Sequence, residues 1–262
     1  MAGHSKWAKV KHFKGKIDAA RSRAFSRCSK EISVAARTSG GDPGFNPRLR
    51  TAIAAARAEN MPADNIERAI KRGTGELEGV HYEEAIYEGY APGGVAIIVE
   101  VLTDNRNRAA AEIRSIFTKH GGNLAAPGAV AFQFQRQGVV SVPRSRITED
   151  DLMTLALEAG ANDIKTEDET YEIFTPVETL DSVVETIRRK KIEPSSAKRV
   201  YVPQNQVPIS DENLARKVLA LIEALDEQDD VQHVHANFDI PDAILDKILI
   251  CAHLRKSADE KD

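Results

Sequence analysis

Residues 138–203 contain the segments GVVSV (138–142), EDDLMTLALEA (149–159), NDIKT (162–166), TYEIFT (170–175), VETLDSVVETIRRKK (177–191) and SAKRVYVP (196–203). The first, third, fourth and sixth are short, rich in β-branched or aromatic residues and bounded by turn chemistry, so they read as strands. The second and fifth place Leu152, Leu155, Ala156 and Leu180, Val183, Val184, Ile187 at helical steps, so they read as amphipathic helices. Asp150 and Asp151 suit the acidic first turn of the former. The order βαββαβ is the ferredoxin-like pattern, a complete sheet-and-helix unit.

Outward from that unit the chain carries two incomplete halves. Before it come strands at 82–90 and 95–102, joined by the turn Ala91-Pro92-Gly93-Gly94, then a helix at 107–120 and a strand at 129–135. After it come a helix at 210–226, a strand at 230–238 and a helix at 241–254. Each half alone leaves a sheet face and an edge uncovered. The pattern therefore places residues 137–205 as an insertion in a discontinuous α+β domain made of 80–136 and 206–240, with 241–262 as a C-terminal helix and tail. Three domains in linear order are the alternative.

Residues 1–79 read differently. Helical periodicity runs over 17–37, where Ile17, Ala20, Ala24, Cys28, Ile32 and Ala35 form one stripe. Turn residues from Thr38 to Asn46 follow, then an alanine-rich helix from Pro47 to Glu59 and a third from Pro62 to Lys71, expected to stop at Gly73-Thr74-Gly75. The expected fold class is multidomain α and α+β, a basic helical domain followed by two α+β domains.

The net charge of −4 over 262 residues hides a steep asymmetry. Residues 1–30 hold nine Lys and Arg against one acid, Asp18, and residues 31–80 hold seven of each sign. The remaining chain has 20 basic and 32 acidic groups. A basic element on an acidic body points to a polyanionic partner, the alternative being a basic patch that docks on the chain's own acids. Lys6, Lys9, Lys11, Lys14 and Lys16 alternate with Trp7, His12 and Phe13. Lysines neutralise phosphates, and an aromatic face can stack on an unpaired base or pack in the core. Lys16, Arg23, Lys30 and Arg37 recur by sevens with Arg27 between them, a ridge on one side of the first helix. Arg21, nearer the apolar stripe, has to snorkel or pair. Arg50 on the second helix joins the candidates. Arg106 and Arg108 follow the cap candidates Asp104 and Asn105. Cations there oppose the helix dipole, so an anionic ligand or an acidic residue of a neighbouring domain has to want them.

Other chemistry finds little support. The sequence contains none of GxSxG, GxxxxGK[ST], HExxH or a GxGxxG that opens a helix after a strand. His233 and His235 share a strand side without a third ligand nearby and read as exposed strand residues. The two cysteines, Cys28 and Cys251, form no CxxC. There is no run of eighteen apolar residues and no apolar leader after Met1. The expectation is a cytoplasmic protein that is not an enzyme, with no cofactor, metal, membrane or small-molecule substrate.

Gly3-His4-Ser5-Lys6-Trp7, Lys11-His12, Gly40-Gly41-Asp42-Pro43, Asn46-Pro47, Leu49-Arg50, Asn60-Met61-Pro62 and Glu67-Arg68-Ala69-Ile70 resemble the pattern of the YebC family. So do Tyr87-Glu88-Gly89-Tyr90, Pro92-Gly93-Gly94-Val95, Thr103 to Arg108, Gly121-Gly122 and Asp230-Val231-Gln232. The match spans residues 3–240. It departs at His235, where the family usually has an aromatic, and at Asn123-Leu124-Ala125-Ala126, where it is richer in glycine. The resemblance implies a helical N-terminal domain, two α+β domains and no enzymatic activity. Bacterial members are described as transcriptional regulators that bind DNA. Mitochondrial relatives resemble translational activators of cytochrome c oxidase subunit I, and some bacterial members act on ribosomes stalled at proline-rich stretches. Three roles therefore stand: DNA-binding transcriptional regulator, translation factor on ribosomal RNA or tRNA, and protein adaptor using the acidic βαββαβ unit.

Overall fold

The structure is a computed structural model that describes residues 17–248. Three helices open it: α1 (Ile17–Ser39), α2 (Pro47–Ala58) and α3 (Ala63–Thr74). Their core is Ile32, Ala35 and Ala36 of α1 against Leu49, Ala52, Ile53 and Ala56 of α2 and Ile66 and Ala69 of α3. Alanines dominate that core and let backbones approach closely. Gly73 shows how closely: a Cβ there would lie 2.4 Å from the Ser33 carbonyl oxygen. Gly73 is therefore a helix residue that admits α1, and the stop expected at Gly73-Thr74-Gly75 falls at the last of the three. The helix runs on to Thr74 and Gly75 caps it.

The first sheet has strand order β3-β1-β2-β9. Strands β1 (Glu83–Tyr90) and β2 (Ala96–Thr103) form a hairpin, and β9 (Val231–Ala236) pairs antiparallel with β2. The two-residue β3 (Asn123–Leu124) extends the β1 side. Helices α4 (Arg106–Lys119) and α7 (Glu212–Asp226) cover one face. Ile97, Val99 and Val101 meet Ile113, Phe117, Val218, Leu221 and Ile222 there. On the opposite face Ala96 and Ile98 meet Val130 and Phe134. Covered on both sides, β2 reads as an almost unbroken apolar run, as burial on two faces requires. Beyond the second sheet, β8 (Val207–Pro208) pairs parallel with β10 (Phe238–Asp239), and 242–248 is helical.

The strand expected at 129–135 is not formed as such. Residues Ala131–Gln133 make one turn of 3-10 helix, and β4 runs unbroken from Phe134 to Pro143. The cause sits about forty residues upstream. The Glu88 carboxylate accepts the backbone N–H groups of Gly128, Val130 and Ala131 at 2.6, 2.7 and 2.9 Å. Donors aimed at a carboxylate cannot enter a ladder. Burial pushes the Glu88 carboxyl up, but these donors hold it below the ordinary range.

The second sheet has order β5-β6-β4-β7, every neighbouring pair antiparallel. Its strands besides β4 are β5 (Asp163–Thr166), β6 (Thr170–Thr175) and β7 (Ser196–Pro203). Helices α5 (Glu149–Glu158) and α6 (Leu180–Arg189) pack on one face through Leu152, Ala156, Leu180, Val183 and Ile187 against Val140, Val142 and Ile173. Thr148 caps α5 by accepting the Asp151 N–H, and acids fill its first turn. In the chain this sheet lies between β3 and β9 of the first. We propose that residues 137–205 are an independent inserted unit. Because Phe134–Gln137 of β4 pair with β7, the piece to express starts at residue 133 and ends at 205. It is expected to unfold cooperatively in urea; a protease-sensitive product without a transition would sink the insertion.

Candidate nucleic-acid interface

Seven candidates, Lys6, Trp7, Lys9, Lys11, His12, Lys14 and Lys16, lie outside the described residues or, for Lys16, just before the first of them. The others can be placed. Along α1, Arg23 pairs with Glu227 at 3.6 Å and Arg27 with Asp226 at 3.2 Å. Arg27 also donates to the Asp226 backbone carbonyl. Lys30 reaches the Asp230 carboxylate at 2.7 Å and the Asp229 carbonyl at 2.9 Å. Successive turns of the ridge thus meet acids at the end of α7 and in the turn that leads to β9.

Lys30 is only 8% exposed, with Tyr82 5.4 Å from its ammonium to the ring centre. It is enclosed by the protein and joins the helical unit to the first sheet. Asp230, 4% exposed, is the hub of that joint. Its second carboxylate oxygen accepts Thr103 Oγ1 at 2.8 Å and an Arg108 N–H at 3.1 Å. Burial pushes its carboxyl up, yet Lys30, Thr103 and Arg108 hold it below the usual range. In the sequence Asp230 stands out only as the first residue of the motif Asp230-Val231-Gln232. Its partners lie 122 to 200 residues away, beyond any local signal.

The loop before α4 behaves as its cap candidates allow. Asn105 accepts the N–H groups of Asn107 and Arg108 at 3.1 and 3.0 Å. Arg106 donates to the Glu84 carbonyl at 2.8 Å and lies 3.5 Å from the Glu83 carboxylate. Arg108 bridges Asp104 and Asp230. The acids that meet these cations, Glu83, Asp104 and Asp230, belong to the same α+β domain as the cations and not to a neighbouring one. Both side chains remain largely exposed on their outer sides. Arg50 donates to the Pro43 and Gly44 carbonyls at 3.1 and 3.5 Å and lies 3.8 Å from Glu185. Arg21 lies over Phe25, 5.7 Å from the ring centre, while Arg57 and Arg68 are exposed on α2 and α3.

His235 departs from expectation. It is buried, with Nε2 2.9 Å from Glu100 and its ring 5.4 Å from that of Tyr201 on β7, while His233 is exposed. The second sheet's strand covers that part of β9, which no local pattern announces. Cys28 is half-buried, and burial pushes its thiol up to about 11, far from a reactive thiolate. Among the described residues no group of three or more His, Cys, Asp or Glu is placed to hold a metal. No described helix is long and apolar enough to cross a membrane.

The architecture of a three-helix unit followed by two α+β sheets matches known proteins along nearly the whole chain. The TACO1/YebC protein N-terminal domain matches residues 5–76, and the TACO1/YebC second and third domain matches residues 82–238. The chain belongs to the TACO1/YebC family. A relative from Syntrophobacter fumaroxidans is 52% identical over 248 residues, covering 95% of this chain and 100% of the relative. One from Halothermothrix orenii is 54% identical over 250 residues, covering 95% and 99%. Both are called "Probable transcriptional regulatory protein". A crystal structure of a conserved hypothetical protein from Aquifex aeolicus superposes with a TM-score of 0.79 at 50% identity, covering 87% of this chain and 94% of that one.

Proposed function

We propose that this member of the TACO1/YebC family is a nucleic-acid-binding regulator of gene expression, a DNA-binding transcriptional regulator whose N-terminal arm grips phosphates. One observation carries the reading: residues 1–30 hold nine Lys and Arg against Asp18 alone, and five of their six lysines stand before residue 17. Arg23, Arg27 and Lys30 face Glu227, Asp226 and Asp230. Lys6, Lys9, Lys11, Lys14, Lys16 and Arg21 carry the remainder, opposed locally by Asp18 alone. A lysine-rich arm attached to a folded helical unit supplies sequence-independent affinity. The names of the relatives support regulation of transcription. The reading requires no catalytic group, cofactor, metal, membrane or small-molecule substrate, and it suits a cytoplasmic protein.

A second reading, a translation factor on ribosomal RNA or tRNA, draws on α3. If α2 and α3 imitated a helix-turn-helix, α3 would enter the major groove. Its exposed side instead ties Lys71 to Glu67 at 2.7 Å and carries Asp64 in the first turn. Such a surface does not favour base reading, whereas RNA shape and backbone demand less of it. Recovering what co-purifies with the protein from lysate at low salt separates the two. Enriched promoter fragments support transcription and ribosomal particles support translation. Recovery of neither leaves the acidic-unit adaptor ahead.

A further inference from the structure

Phe45 is the most exposed large apolar side chain among the described residues, at 87%. A lone exposed phenylalanine on a mobile loop would need no explanation. This loop, residues 40–46, is cross-linked from several sides. Asn46, 1% exposed, donates to the Ala35 and Gly40 carbonyls at 2.8 Å each and accepts the Leu49 N–H at 3.0 Å. The Asp42 side chain accepts the Gly44 N–H at 2.7 Å. Its backbone carbonyl accepts the N–H of Phe45 at 3.2 Å. Arg50 spans the Pro43 and Gly44 carbonyls from the first turns of α2. At Gly41 a Cβ would approach Thr74 Cγ2 to 2.8 Å, so the loop is seated against α3. Folding has already ordered the backbone beneath the ring, and contact through Phe45 loses little further conformational freedom.

The surroundings decide what fits. Residues 17–76 hold eleven Lys and Arg against seven Asp and Glu, and the lysine arm precedes them; Arg23, Arg27 and Lys30 face Glu227, Asp226 and Asp230, while Arg57 and Arg68 stay exposed. Arg50 lies directly under the loop. An aromatic face on a cationic unit suits an unpaired base, whose phosphates the cations attract, better than it suits an apolar pocket. We propose, on the nucleic-acid reading above, that Phe45 is a stacking platform for an unpaired nucleobase. The protein then prefers segments with open base faces, whether single-stranded RNA or DNA, over intact duplex.

The test uses the full chain and oligonucleotides of one sequence as single-stranded RNA, single-stranded DNA and duplex DNA. Phe45→Ala is expected to weaken single-strand binding by about ten-fold, the scale of one lost base stack. Duplex affinity should change by less than about two-fold, the slope against salt should stay constant since no cation is lost, and the melting temperature should hold. Equal loss on RNA and DNA marks base stacking alone; loss confined to one identifies the source of the base, and either supports the platform. Trp7 is the only tryptophan, so Trp7→Phe with Phe45→Trp places a single fluorophore on the loop, which a single strand should quench. Unchanged single-strand affinity after Phe45→Ala overturns the platform, as does equal loss on duplex or an unquenched loop tryptophan while the protein binds. If the unaltered protein binds no nucleic acid, the function reading fails with it, a result read directly from the parent chain.

Discussion

Asp230→Ala is expected to destabilise the protein by about 3–5 kcal/mol, because it removes one member of a buried ion pair and strands the other. Lys30 would keep its ammonium in a site 8% exposed, with only the Asp229 and Leu102 carbonyls near it. Lys30→Ala should cost less, about 3 kcal/mol, since Thr103 and Arg108 still reach the Asp230 carboxylate. The neighbouring pairs Arg23–Glu227 and Arg27–Asp226 are more open, and breaking either should cost about 1 kcal/mol or less. Acid supplies a second check. The folded Asp230 carboxyl is held below the usual range, so its contribution is complete above the unfolded value of about 4 and is lost as pH falls further. Urea midpoints at pH 7 should therefore separate Asp230→Ala widely from the parent, and at pH 3 the gap should narrow. A difference under about 1 kcal/mol at pH 7 would falsify the buried joint.

How much of this was legible depended on distance along the chain. The segments of 138–203 are placed within a few residues because turn chemistry and alternation are local, and β6 (Thr170–Thr175) and β7 (Ser196–Pro203) keep their expected bounds. The strand expected at 129–135 shifted because its alternation is real but its donors belong to Glu88. The glycine signal at Gly73-Thr74-Gly75 is local and ends the helix at Gly75, but it says nothing of the other role of Gly73. Only the backbone of α1 against it shows why it is needed within the helix. The basic ridge was visible in its sevenfold spacing, whereas its partners Asp226, Glu227 and Asp230 sit about 200 residues on. Charge counts show an excess; three-dimensional pairing shows which part of the excess is satisfied. His235 illustrates the same limit, since Glu100 is 135 residues away and the alternating pattern at 231–236 does not distinguish a solvent-facing side from one covered by another sheet.

That pairing sharpens the expectation for the arm. Arg23, Arg27 and Lys30 face acids, and with about five of the other six basic groups of residues 1–30 on phosphates the slope of log affinity against log salt on duplex should be about −4.5. Between 50 and 200 mM salt the affinity should then fall by about 500-fold. Replacing Lys6, Lys9, Lys11 and Lys14 together with alanine removes four contacts and should flatten the slope by about 3.6 units. Unrelated sequences should lose affinity alike, because phosphate contacts position a protein without reading bases. On single strands both slopes should be shallower, since fewer counterions are released per contact. Arg23→Ala provides the contrast. Its guanidinium faces Glu227, so its loss should leave the slope within about half a unit of the parent. Should the fourfold variant keep the parent's affinity and slope while Arg23→Ala flattens it, the grip belongs to the ridge of α1, and the acids of the α7–β9 turn must release that ridge before nucleic acid binds.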